Sequence, residues 1–91
     1  MRKKLVSVEP LSEFRLRLVF EGGESRIFDV APYLRIGIFR ELKNEQLFKT
    51  VRVCFDTVCW ANDADICPDE LRMTSIAEDL AEYGPGTKSS N

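Results

Sequence analysis

No histidine occurs in the 91 residues, and that one absence removes much of enzyme chemistry. Ser-His and Cys-His nucleophile pairs, imidazole acid–base work and most transition-metal sites all need the ring. Long apolar runs are missing too. Nothing approaches the ~20 apolar residues of a membrane span, and the basic start Met1, Arg2, Lys3, Lys4 is not followed by a run of signal-peptide type. A cytoplasmic location with no membrane partner is therefore expected. The three cysteines are an odd count, which argues against a secreted disulfide framework, and the spacing Cys54-x4-Cys59-x7-Cys67 matches no common zinc pattern. A surplus of positive charge is also lacking: the net charge of −2 removes the general attraction to phosphates on which nucleic-acid binders rely.

What remains is an ordinary globular composition, 44% hydrophobic and 31% charged, which implies one soluble domain. That domain is expected over residues 1–83, with 84–91, GPGTKSSN, as a disordered tail. A chain this short buries about 60–65% of its unfolded surface, so homodimerisation is an expected route to added stability.

The patterning predicts an α+β fold. Leu5-Val6-Ser7-Val8 is β-prone and meets a stop at Pro10, while Glu13 to Phe20, EFRLRLVF, alternates with Phe14, Leu16, Leu18 and Phe20 on one face. A third strand, Ser25 to Val30, follows the Gly22-Gly23 turn. A two-residue Gly-Gly loop would place Phe28 and Val30 on the face of Arg15 and Arg17. A three-residue loop, Glu21-Gly22-Gly23, instead pairs Phe14 with Val30, Leu16 with Phe28 and Arg15 with Asp29, and is the preferred register.

Pro32 suits the first turn of a short helix, because its missing N–H is not needed there. Phe39 to Phe48 then reads as a helical crossover of two short pieces with Asn44 as the cap between them. Val51 to Trp60, VRVCFDTVCW, reads as a hairpin with an Asp56-Thr57 loop that sets Phe55 opposite Val58, Val53 opposite Trp60 and Cys54 opposite Cys59. Pro68-Asp69-Glu70 opens a C-terminal helix, whose apolar side would run through Leu71, Ile76, Leu80 and Tyr83. A break near Thr74 would make it a helix pair, since Ser75 and Glu78 have capping-box spacing.

Two surfaces carry chemistry worth following. The stretch WANDADICPDE, Trp60 to Glu70, holds Asp63, Asp65, Asp69 and Glu70. A calcium loop would need alternating oxygen ligands, a central Gly and a closing bidentate Glu, and the spacing does not supply them. Asp65 and Asp69 as a catalytic carboxylate pair would need a cleft and positioned partners. Turn and helix-start chemistry accounts for the same residues, and their exposed acids suit an electropositive partner. Arg15, Arg17 and Arg52, with Arg26, form the other candidate, a basic face for nucleic acid or an acidic partner. No aromatic RNA-binding signature accompanies them, and pairing with Asp29 competes. Cys54 and Cys59, as cross-strand neighbours, admit a redox role, but a reducing compartment and the lack of histidine favour two small residues on a sheet face. No metal and no cofactor are expected.

Three pieces in order, LRLVFEGGESRIFDVAPYL, FRELKNEQLFKTVRV and VCWANDADICPDEL, resemble the small bacterial family known as domain of unknown function 2442, over roughly residues 5–72. The shared pattern is a strand with a Gly-Gly or Asp-Gly turn, F-D-x-x-P-Y-L, a Phe before V-R-V, and W-x-N-x-A-D-I-x-P-E-x-L. This chain has Ala61 and Asp63 where the family often shows Pro and Gly, and Asp69-Glu70 where one Glu usually follows the Pro. The resemblance implies a compact α+β domain with no established catalytic residues. It also implies frequent gene neighbourhood with a second small family, domain of unknown function 4160, in arrangements like toxin–antitoxin pairs. Some relatives carry a helix-turn-helix segment after the domain, a part that the few acidic residues after Leu71 suit poorly.

The expected function is a non-enzymatic protein-interaction module, the antitoxin-like partner of a small protein, with Asp63, Asp65, Asp69 and Glu70 as its binding surface. The alternatives are a homodimeric DNA-associated regulator using Arg15, Arg17 and Arg52, and a small carboxylate-dependent enzyme.

Overall fold

A computed structural model describes residues 3–77. The expectations for Leu80, Tyr83 and the tail lie outside these residues. Strands β1 (Leu5–Leu11), β2 (Arg15–Phe20) and β3 (Ser25–Asp29) form an antiparallel meander, and β6 (Ile76–Ala77) pairs with β3 to complete a sheet in the order β1-β2-β3-β6. Between β3 and β6 run a 3-10 turn at Ala31–Tyr33, a 3-10 segment at Gly37–Lys43, the short helix α1 (Glu45–Phe48), the hairpin β4 (Arg52–Cys54) and β5 (Thr57–Cys59), and α2 (Pro68–Thr74). The architecture is α+β.

The preferred register of the meander is the one formed. Arg15 faces Asp29 and Leu16 faces Phe28, and the Val30 N–H donates to the Phe14 carbonyl at 2.9 Å. The three-residue loop needs left-handed backbone at Gly22 (φ 86°) and Gly23 (φ 89°), which glycine adopts without a Cβ penalty. Alternation on β2 buries Leu16, Leu18 and Phe20, while Arg15, Arg17 and Val19 are only half-buried.

Pro10 does not stop β1, contrary to the sequence expectation, and pairs with Leu16. As an edge strand, β1 tolerates a proline whose nitrogen faces away from β2. Phe14 likewise belongs to the turn before β2 rather than to the strand. Glu13 and Phe14 both have φ of 61°, and the turn directs the Phe14 ring edge-on to Phe48 at 5.2 Å.

The crossover forms as two pieces. The Asn44 side chain accepts from the Gln46 N–H at 2.9 Å, satisfying one orphan donor at the start of α1. Leu34, Leu42 and Phe48 then close the core under the sheet, with Phe39 and Leu47 packed beside them. A continuous chain of ring contacts runs from Phe28 through Tyr33, Phe39 and Trp60 to Phe48 and Phe14. Trp60 is at its centre: fully buried, it donates its indole N–H to the Phe48 carbonyl at 3.0 Å.

The β4–β5 hairpin forms in a different register from the one expected. Arg52 pairs with Cys59, Val53 with Val58 and Cys54 with Thr57, so the loop is Phe55-Asp56. The change of two residues along one strand keeps the same side chains on each face, which is why the apolar pattern could not distinguish the two registers. Thr57, β-branched, is unsuited to the left-handed backbone such a loop requires, and it pairs in the strand instead. Its hydroxyl donates to the Ile66 carbonyl at 2.6 Å. Phe55 takes the left-handed position, with φ of 56°. Cys54 and Cys59 therefore sit diagonally, 5.9 Å apart at Cα, and are joined as a disulfide rather than standing as the two separate thiols expected.

The C-terminal helix ends at Thr74, the expected break. The chain then extends, so Ile76 lies in β6, half-exposed, rather than on a helix face. Arg26 fixes this return: its Nε donates to the Ser75 hydroxyl at 2.7 Å and its Nη2 to the Ser75 carbonyl at 2.5 Å.

Candidate functional site

Trp60 turns the chain out of the hairpin, and the residues after it build a compact turn. The Asp63 N–H donates to the Trp60 carbonyl at 3.0 Å, the Trp60 N–H to the Ala64 carbonyl at 2.9 Å, and the Asn62 side chain accepts from the Ala64 N–H at 3.1 Å. Asn62 also donates to Glu41 at 2.9 Å, tying the turn to the crossover. Asp63 adopts a φ of 72°, a left-handed position that Asp is among the residues to tolerate. Ala64 and Ile66 point into the core while Asp63 and Asp65 face outward. Cys67 and Pro68 then lead into α2, whose first turn carries Asp69 and Glu70 where the helix dipole favours acids.

The four acids do not act as one cluster. Asp63 and Asp65 line a shallow depression of about 430 Å³ together with Pro68, the Cys54–Cys59 pair and the hairpin tip Phe55-Asp56. Neither carboxylate makes an ion pair among the described residues. Glu70 is engaged elsewhere, accepting a hydrogen bond from the Tyr33 hydroxyl. That contact and burial of the phenol push the Tyr33 pKa above 10.0, with burial the larger cause. Asp69 is exposed, has a partner of its own and does not line the depression. No group of three potential metal ligands occurs among the described residues.

The arginines are dispersed as well. Arg15 pairs with Glu13 at 3.2 Å and Arg17 with Glu9 at 3.6 Å, both on the meander. Arg52 lies on the other sheet, at the rim of the depression that holds Asp63 and Asp65. Arg26 pairs with Glu24 at 3.1 Å and secures Ser75.

Sequence reasoning missed the hairpin tip. Phe55 is fully exposed, at 101% of its reference area, and sits at a left-handed φ. A large aromatic held in a costly backbone conformation and given no packing is where function and local stability disagree. The signal available beforehand was the Phe-Asp pair midway along VRVCFDTVCW, readable as a loop only once the register is known.

No helix among the described residues is long and apolar enough to cross a membrane. Neither a curated protein nor a solved structure matches the chain. A family model does match, over residues 5–77. The chain belongs to that family, described as Protein of unknown function (DUF2442).

Proposed function

We propose that this protein is a non-enzymatic interaction module, the antitoxin-like member of a small bacterial toxin–antitoxin-type pair. It docks its partner through the β4–β5 tip and the acidic turn beside it. The observation that carries the reading is Phe55, a solvent-exposed ring presented on a hairpin that a disulfide braces, with the carboxylates of Asp63 and Asp65, without an ion pair among the described residues, at the edge of the adjoining depression. An aromatic knob surrounded by charge is the composition of an interface hot spot, where the ring supplies buried area and the rim supplies orientation. The partner that fits has an apolar pocket with basic residues around it. The choice of a second small protein draws on what the family resemblance implies about gene neighbourhood.

The alternatives have less behind them. A homodimeric DNA-associated regulator would need the arginine face, yet Arg15 and Arg17 are ion-paired and Arg52 stands apart from them. A carboxylate enzyme would need Asp65 and Asp69 in one cleft, and Asp69 does not line the depression that holds Asp65.

The test is parallel affinity capture from native host lysate, with and without nuclease treatment, of the tagged chain and an Asp63→Lys/Asp65→Lys variant. The expected result is a small protein encoded by the adjacent gene, retained in stoichiometric amount by the native chain and lost by the variant. Equal retention by both sinks the surface assignment. Recovery of nucleic acid alone moves the case to the DNA-associated regulator.

A further inference from the structure

On the opposite flank of α2 from Tyr33's partner lies a second cavity, of about 290 Å³, lined by Lys3, Phe20, Glu24, Arg26 and Arg72. Three cations from three separate parts of the chain converge on it: the start of the chain, β3 and α2. Two of them carry carboxylates already, Arg72 with Asp56 at 2.8 Å and Arg26 with Glu24 at 3.1 Å. Lys3 does not. Its ammonium makes no ion pair among the described residues and rests beside the Gly22 turn, 3.3 Å from where a Cβ would stand. Arg72 forms the inner wall, with its Nη1 sealed from solvent and without a hydrogen-bond partner among the described residues.

A cavity lined by three cations and one carboxylate carries surplus positive charge, and an oxyanion relieves it. The guanidinium is held in place by three contacts that do not use Nη1: Nη2 donates to the Lys3 carbonyl at 2.6 Å and to Asp56 at 2.8 Å, and the group lies 5.1 Å from the centre of the Phe20 ring. Its orientation is thus set before any ligand arrives, which lowers the cost of binding. The Lys3 ammonium, flexible and exposed, supplies the point charge that a phosphate recruits beside an arginine fork.

The geometry points to a binding site for a small phosphate-bearing molecule, with Lys3 and Arg72 on the phosphate, Arg26 at the rim and Phe20 as the apolar floor. The volume exceeds that of a bare phosphate and leaves room for a modest organic group. The cavity shares no lining residue with the depression at the hairpin tip, and although Arg72 reaches Asp56 there, Lys3 variants test the phosphate site without touching the tip.

Titration of the isotope-labelled full chain with inorganic phosphate, followed by amide chemical shifts at fixed ionic strength, tests this. Saturable shifts are expected at Lys3, Gly22, Glu24, Arg26 and Arg72, with affinity in the millimolar range. Chloride and acetate at the same ionic strength should leave these amides unmoved. Lys3→Gln, at an exposed position, should weaken phosphate binding about tenfold while Lys3→Arg stays within about threefold of the native chain, and both should melt like it in phosphate-free buffer. Non-saturating shifts, equal shifts with chloride or acetate, or undiminished binding by Lys3→Gln would each overturn the site.

Discussion

Arg72 and Asp56 meet at 2.8 Å, and through that pair three distant parts of the chain are held together. The Asp56 carboxylate also accepts the Leu5 N–H at 3.4 Å, and the Arg72 guanidinium also donates to the Lys3 carbonyl at 2.6 Å. The hairpin tip, the start of β1 and α2 thus share one ion pair, which is why the loop places Asp56 where it does.

Asp56→Ala should therefore destabilise the whole domain. Removing the acceptor leaves a largely buried guanidinium with fewer partners, at a cost of about 2 kcal/mol. Asp56→Asn, which retains an acceptor, should cost less. Urea unfolding of the two variants beside the native chain checks the order.

Trp60→Phe removes the indole N–H from a buried carbonyl and leaves a void at the centre of the ring chain. A loss of about 2–4 kcal/mol is expected, read by circular dichroism because the chain has no other tryptophan to report by fluorescence.

The Cys54–Cys59 bond closes a short loop, five residues apart in sequence. The chain-entropy account gives about 2 kcal/mol for a ring of that size. A Cys54→Ser/Cys59→Ser variant should lose that much, and its urea midpoint should be insensitive to reductant, whereas that of the native chain should fall when reductant is added.

Much of the fold was legible beforehand because its signals were local. The Gly22-Gly23 loop, the alternation of Leu16, Leu18 and Phe20, the Asn44 cap and the Pro68 helix start each act within a few residues. The errors came where distant contacts decide. The hairpin register turns on Asp56 reaching Leu5 and Arg72, and both alternatives show the same side chains on each face. Residues after Thr74 pair with β3 because Arg26 holds Ser75, a link between positions 49 apart. For the site, the acids at Asp63 and Asp65 were visible as exposed turn residues. Glu70 was not separable from them until Tyr33 was seen to hold it.

Tyr33 gives a pH prediction. Its folded-state pKa is raised, chiefly by burial and then by Glu70, so the neutral phenol is the favoured form in the folded chain. The stability this represents is whole below the ordinary value of 10.0 and is lost as pH rises through the raised value. Alkaline titration by tyrosinate absorbance, in a Tyr83→Phe background, should show Tyr33 ionising late. Glu70→Gln should bring it partway back, because burial remains.

The central claim is that Phe55 is retained for a partner rather than for the fold. Asn tolerates left-handed backbone better than Phe, so Phe55→Asn should raise the melting temperature, by about 4 °C for a domain of this size. The same substitution should weaken binding of the captured partner at least about tenfold, a loss in keeping with an interface hot spot. Calorimetric titration of the native chain and the Phe55→Asn variant with that partner, beside their melting curves, is the measurement to make. A more stable variant that binds poorly is the predicted result. A variant that binds as well as the native chain would contradict the account.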